Sequence, residues 1–379
     1  MAVVVAVPKE VAPGERRVAL TPEVVGRLTK TGVEVRIEEG AGTLSRYLDD
    51  AYRTAGAKVM PGGSDLYAGA KIVAVVQPPL PETIQSLAEG TILVGFLNPT
   101  RSLEAIAAMK SAGVSAFAVE LIPRISRAQS MDGLSSQATV AGYRGALLGA
   151  EYCPKFWPML TTAAGTIRPA TVLILGAGVA GLMAIATARR LGAVVEAYDV
   201  RKAAGEQVRS LGAKFLELAI NAEGTGGYAR ELTEEEKAKE REMVEQAVAR
   251  ADVVITTAAV PGRKAPRLVS KEMVARMLPG AVLVDLAAES GGNCELTQPG
   301  STVDAGGVTI AGPLNVPSQV PYHASQMYSK NLQAFLSLLV DANGNLVSTF
   351  DDEILQGSLL VSQHEVRYGP TKDLLGGPK

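Results

Sequence analysis

The residues of this chain best suited to chemistry are three glycines and one carboxylate. Gly176, Gly178 and Gly181 form a GxGxxG turn directly after the apolar run 172–175, and Asp199 stands 18 residues beyond Gly181. In such a turn the first glycine permits the tight bend and the second lets backbone approach a pyrophosphate. The third lets a helix pack closely on a strand, and that helix offers its N–H groups and positive dipole end to the phosphates. Asp199, closing the following strand, would accept hydrogen bonds from the hydroxyls of an adenine ribose. Dinucleotide contacts are therefore expected at Gly176, Ala177, Gly178, Val179, Ala180, Gly181, Asp199, Val200 and Arg201. A 2′-phosphate beside Asp199 would meet like-charge repulsion, which favours NAD(H) over NADP(H). Arg201 and Lys202 either pair with such a phosphate or open the next helix as solvated residues.

Two further segments concentrate polar groups. Residues 123–137, PRISRAQSMDGLSSQ, carry Arg124, Arg127, Gln129, Asp132, Ser135 and Ser136. One reading is a loop that caps the next helix, with Asp132 or Ser135 at its N-cap. The other is a loop over a cofactor, with Arg124 steering the pyrophosphate while Gln129, Asp132 and Ser135 fix the nicotinamide carboxamide. Residues 221–230, NAEGTGGYAR, combine three glycines with Tyr228. They read as a lid over bound nucleotide or as an ordinary surface loop.

Acid–base equipment is sparse. Oxidation of an alcohol or amine moves a proton with the hydride and usually employs His or Lys. His323 and His364 are the only histidines, and surface or capping roles are expected for both. No His, Cys, Asp or Glu cluster has metal-ligand spacing. Cys153 and Cys294, the only cysteines, lack redox spacing and fit a reducing cytoplasm. A nicotinamide site so poor in proton-transfer groups points to hydride exchange without proton chemistry.

These residues need a scaffold, and the apolar pattern predicts one. Short apolar runs at 3–7, 33–38, 72–76, 92–95 and 114–118 alternate with helical spacing at 22–30 and 103–111. A second series of strands is expected at 172–175, 194–199, 214–218, 252–257, 281–285 and 308–310. The pattern predicts an α/β fold of two Rossmann-like, doubly wound parallel-sheet domains, joined by long crossing helices at 136–148 and 324–340. The expected division is 1–135 with 330–379 as a discontinuous first domain, and 136–329 as the dinucleotide-binding domain. At 379 residues two cores are required. A net charge of −2 gives no reason to expect nucleic acid or an anionic membrane surface. The N-terminus reads as a strand rather than a signal peptide, and the apolar run 171–188 as strand plus buried helix rather than a span.

Four motifs together resemble the NAD(H)-binding component of the proton-translocating NAD(P) transhydrogenase family. They are VPKEVAPGERRVALTPEVV at 7–25, RISRAQSMDGLSSQATVAGYRG at 124–145, GAGVAGL at 176–182 and GGYA at 226–229. The first and third are shared with the related alanine dehydrogenases. The resemblance implies a homodimer with NADH in an interdomain cleft and NADP(H) on a partner component. It also implies direct hydride transfer, coupled to proton movement through a membrane-spanning component. By resemblance Arg124, Gln129, Asp132 and Ser135 contact the nicotinamide half or the docking partner, Asp199 binds adenosine ribose, and Tyr228 tips the mobile loop. An alanine dehydrogenase would need a lysine near Val75 and a histidine near Asn98, and neither is present; Arg17, its carboxylate-binding arginine, remains. An amino-acid dehydrogenase is the alternative function, and a non-catalytic NAD(H) sensor a further one. The chain ends at KDLLGGPK without a span, so a cytoplasmic subunit held peripherally at the inner (plasma) membrane by its partners is expected.

Overall fold

A computed structural model of the chain describes residues 2–217, 234–259, 264–341 and 343–376. It divides into two compact units, Met1–Gln137 with Pro317–Lys379, and Ala138–Val316. Both are α/β and each is built on one mainly parallel sheet.

The sheet of the first unit runs Glu365–Val366, Leu359–Ser362, Ser115–Ala118, Ile92–Gly95, Ile72–Ala74, Val4–Val7, Glu34–Glu38, Lys58–Met60. Val4–Val7 pairs in parallel with both Glu34–Glu38 and Ile72–Ala74. The chain therefore winds one way from this strand and then the other, which makes the edge between Val4–Val7 and Ile72–Ala74 a topological switch point. Strands such as Ile92–Gly95 are buried at every position because helices cover both faces. Val5, Val7, Val35 and Ile37 fill the core on one face, and Ala6, Val73, Leu93 and Ala116 the core on the other.

The second unit repeats the plan in the order Lys214–Phe215, Val194–Tyr198, Thr171–Leu175, Val253–Thr256, Val282–Asp285, Thr309–Ala311, Thr302–Asp304. Its switch point lies between Thr171–Leu175 and Val253–Thr256, which pair in parallel. Val172, Ile174 and Val195 pack on one face, Leu173, Val254 and Leu283 on the other.

Several elements depart from the sequence reading. Lys58–Met60 and the antiparallel edge strand Thr302–Asp304 are short and partly exposed, so they carry no continuous apolar run. The tail adds Leu359–Ser362, antiparallel to Ser115–Ala118, and a hairpin stands at Leu160–Thr162 and Gly165–Ile167. Residues 317–329, expected with the second domain, group with the first unit. Helix Pro321–Leu339 buries Ser325, Tyr328 and Ser329 there. Ser325 Oγ accepts the Val18 N–H at 3.0 Å, Ser329 Oγ accepts the Thr21 N–H at 2.9 Å, and the Tyr328 hydroxyl donates to the Val75 carbonyl at 2.9 Å. The expected linking helix at 136–148 extends over Gly133–Tyr152, and the boundary between the units falls within it. Among the described residues no helix is long and apolar enough to cross a membrane.

Candidate functional site

In the second unit, strand Thr171–Leu175 ends at the glycine turn and helix Val179–Arg190 begins at once. Each glycine has a distinct reason to be there. Gly176 has φ +105°, and an added Cβ would lie 2.7 Å from Thr257 Oγ1. At Gly181 a Cβ would lie 1.8 Å from the Gly176 carbonyl oxygen, so only glycine lets helix and strand end meet. Gly178 has nothing within 4 Å of such a Cβ, which leaves an open backbone surface. Gly178 caps the helix without a side-chain bond, and first-turn N–H groups have no intrahelical acceptor. An open backbone beside an uncapped helix start fits a pyrophosphate.

Asp199 closes the site. Its Oδ2 accepts the Ala177 N–H at 2.7 Å, tying the second strand to the glycine turn. The same carboxylate takes the Arg201 backbone N–H at 2.8 Å and its guanidinium at 2.9 and 3.0 Å. Burial pushes this carboxyl up, but the Arg201 and Ala177 bonds outweigh it and hold it below the usual carboxylate range. Arg201 thus neither awaits a phosphate nor lies free in solvent: it folds back on the acid, while its side chain stays 63% exposed. Val200 is exposed beside it.

Two supports of this site were not legible in the chain. Thr257 Oγ1 donates to the Gly176 carbonyl at 2.9 Å from across the switch point. Asp285, fully buried at its strand end, accepts from Thr256 Oγ1, Thr297 Oγ1 and the N–H groups of Ala287, Asn293 and Cys294. Five donors around one carboxylate shape the loop that follows Val282–Asp285. A threonine or aspartate closing an apolar strand was the available signal.

In the first unit, Asp132 is the N-cap of helix Gly133–Tyr152: its Oδ1 accepts the Ser135 N–H at 2.8 Å and its Oδ2 the Ser135 hydroxyl at 2.6 Å. Arg127 pairs in bidentate fashion with Asp352 at 2.7 and 3.1 Å, and Ala128 and Met131 anchor the loop in the core. Asn331 Nδ2 donates to the Ser130 carbonyl at 2.8 Å. Arg124 and Gln129 point outward from this held loop and are exposed. The capping reading is therefore realised by Asp132, and it leaves the two exposed side chains available to a ligand.

A buried polar cluster stands at the first unit's strand ends. Arg17 binds Glu15 at 2.6 and 2.8 Å and Gln137 Oε1 at 2.9 Å. Gln77 Nε2 donates to Glu15 Oε2 at 3.1 Å, and Asn98 Nδ2 reaches Gln77 Oε1 at 3.4 Å. Val75 itself is buried, so the polar side chain beside Asn98 is Gln77, two residues on. Neither amide exchanges protons near neutral pH, and the arginine already holds a carboxylate. His364, expected without a partner, contacts the Lys110 carbonyl and Glu89.

Residues 6–141 match the alanine dehydrogenase/PNT N-terminal domain, and residues 145–369 its C-terminal domain. The chain belongs to the alanine dehydrogenase/PNT family. It is 46% identical over 364 residues to the first of the polypeptides that make up NAD(P) transhydrogenase subunit alpha in Rhodospirillum rubrum, covering 93% of this chain and 95% of that protein. A solved transhydrogenase structure from Sinorhizobium meliloti superposes with a TM-score of 0.87 at 44% identity, over 96% of this chain and 99% of that one. The alanine dehydrogenase of Mycobacterium tuberculosis is more distant, 31% identical over 373 residues, 95% of this chain and 93% of that protein. Within this alanine dehydrogenase/PNT member, Gly176, Ala177, Gly178, Val179, Ala180, Gly181, Asp199, Val200 and Arg201 come together at one switch point. Arg124, Gln129, Asp132 and Ser135 come together on the other unit. Tyr228 and its loop lie outside the described residues.

Proposed function

We propose that this chain is the NAD(H)-binding alpha subunit of an energy-linked NAD(P) transhydrogenase. In this reading it works as a homodimer, takes NADP(H) from a partner component, and is held at the inner membrane by a membrane-spanning component through which protons move. The observation that carries the reading is the cluster of Arg17, Glu15, Gln77 and Asn98, where an amino-acid dehydrogenase needs a lysine, a histidine and an unengaged arginine.

When bound, the reduced nicotinamide supplies a hydride from its C4 to the C4 of the oxidised nicotinamide on the partner. This chain's residues have to position and exclude water rather than move protons. The open backbone at Gly178 and the N–H groups of Val179 and Ala180 bind pyrophosphate. Asp199 orients the adenosine ribose once Arg201 yields its place. Arg124 and Gln129 orient the nicotinamide half from their held loop, with Asp132 and Ser135 setting its shape.

The test is hydride transfer from NADH to an NADP⁺ analogue by the purified chain mixed with the NADP(H)-binding partner, with pyruvate plus ammonia alone as control. Transfer only with the partner is expected. Asp132→Asn keeps the cap, since asparagine serves there as well as aspartate, and together with Arg124→Ala should slow transfer at least tenfold with an unchanged melting temperature. Wild-type rates in both variants would remove these residues from the site. NADH oxidation by pyruvate without a partner would establish the amino-acid dehydrogenase instead.

A further inference from the structure

The first unit has a switch point of its own, and a cavity of about 410 Å³ opens on it. Its walls come from the segment after strand Val4–Val7, the segment after Ile72–Ala74, and the end of Glu34–Glu38. Those are the places from which the second unit builds its glycine turn, its Thr257 contact and its Asp199.

The likeness extends to one bond. Glu38, last residue of its strand, accepts the N–H of Lys9 at 2.8 Å, and Lys9 stands two residues beyond the end of Val4–Val7. In the second unit Asp199 accepts the N–H of Ala177 at 2.7 Å, again two residues beyond the first strand. Gly62 lies so close that an added Cβ would be 2.5 Å from Glu38 Oε1, so glycine there keeps room for the carboxylate. Pro8, Val11, Tyr67, Pro78 and Leu80 supply apolar walls, with Val11 62% and Leu80 54% exposed at the rim.

The phosphate half is missing. Helix Pro22–Lys30 begins only after a long segment, so no helix start abuts the strand end. The N–H groups of Val76 and Gln77 are taken by Glu10 at 2.6 and 3.1 Å. The lining carries Lys9 against Glu10, Glu38 and Glu82, a balance that disfavours anions.

We propose that this cavity is a second ligand site that takes a ribonucleoside without phosphate, its ring against the proline and tyrosine walls and its ribose hydroxyls on Glu38. The site lies wholly within the first unit and does not depend on the reading of the second.

The experiment uses the full chain and 8-azidoadenosine, photolysed with and without saturating NADH, with labelled peptides mapped by mass spectrometry. Label is expected on the peptides holding Tyr67 or Pro78, and it should persist with NADH. Adenosine should compete at least tenfold better than AMP or 2′,3′-dideoxyadenosine. Glu38→Gln should weaken labelling at least tenfold. Because Glu38 also tethers Lys9, Thr83→Trp, which fills the cavity from its wall, provides a second variant, with a melting curve to show that it folds. Label confined to the second unit, label lost with NADH, equal competition by AMP, or undiminished labelling of folded Thr83→Trp would each overturn the site.

Discussion

Both units place a strand-end carboxylate on the backbone two residues past their first strand, in sheets wound about the same kind of switch point. They diverge immediately after that strand. In the second unit the turn is glycine and a helix starts at once, so backbone N–H groups and a helix dipole face the opening. In the first unit a proline- and glutamate-bearing segment intervenes, and Glu10 occupies the neighbouring N–H groups. The topology sets where a ligand binds; the few residues of the first turn set what charge it can carry.

The comparison breaks most readily at Gly181. Gly181→Val would drive side-chain atoms into the Gly176 carbonyl, and the second unit should lose its fold and all NADH affinity. Trp157, the chain's single tryptophan, is buried in that unit and reports the loss by fluorescence. A folded Gly181→Val protein that binds NADH normally would refute the close approach. Next in size, Asp199→Asn should weaken NADH by about ten- to a hundredfold, from the roughly 1.5–3 kcal/mol of a hydrogen bond to a charged group. Glu38→Gln should leave NADH affinity unchanged, and a titration by nucleotide fluorescence separates the two acids.

Smaller effects sharpen the contrast within the first unit. Asp132→Ala removes an N-cap worth about 1 kcal/mol, which lowers Tm by about 2–4 °C, while Asp132→Asn holds Tm at the wild-type value in scanning fluorimetry. The least change is one of pH. Burial pushes the Glu10 carboxyl up to about 8 against the pull of the Val76 N–H. The folded state then keeps a proton that the unfolded chain gives up near its ordinary pKa of 4.5. Stability therefore falls as pH rises from 4.5 to 8, and Glu10→Gln should flatten that decline in a Tm series. A parallel slope in the variant would discharge Glu10 from the effect.

What could be read from the chain alone was whatever is local. The glycine turn, Asp199 and the apolar strands announce themselves because backbone conformation and burial on both sheet faces depend on neighbouring residues. Asp132 as an N-cap was legible for the same reason: the donor it serves is three residues away. Hidden were the contacts between residues distant in sequence. Arg127 finds Asp352 across most of the chain, and nothing near either residue names the other. The tail strand Leu359–Ser362 is defined only by its pairing with Ser115–Ala118. Helix Pro321–Leu339 belongs to the first unit only because Ser325, Ser329 and Tyr328 find backbone partners there.

The sequence by itself determined that this protein is α/β, that its dinucleotide signature lies at Gly176–Gly181, and that it lacks the lysine and histidine of an amino-acid dehydrogenase. Tertiary structure decided that Arg17 is already paired, that Gln77 stands beside Asn98, that Arg201 covers Asp199, and that Glu38 repeats the role of Asp199 on the other sheet. Residue type and short spacing fix backbone conformation and burial, because those act over a few residues. Which charges neutralise one another depends on where separate strands end, and only the folded sheet brings those ends together.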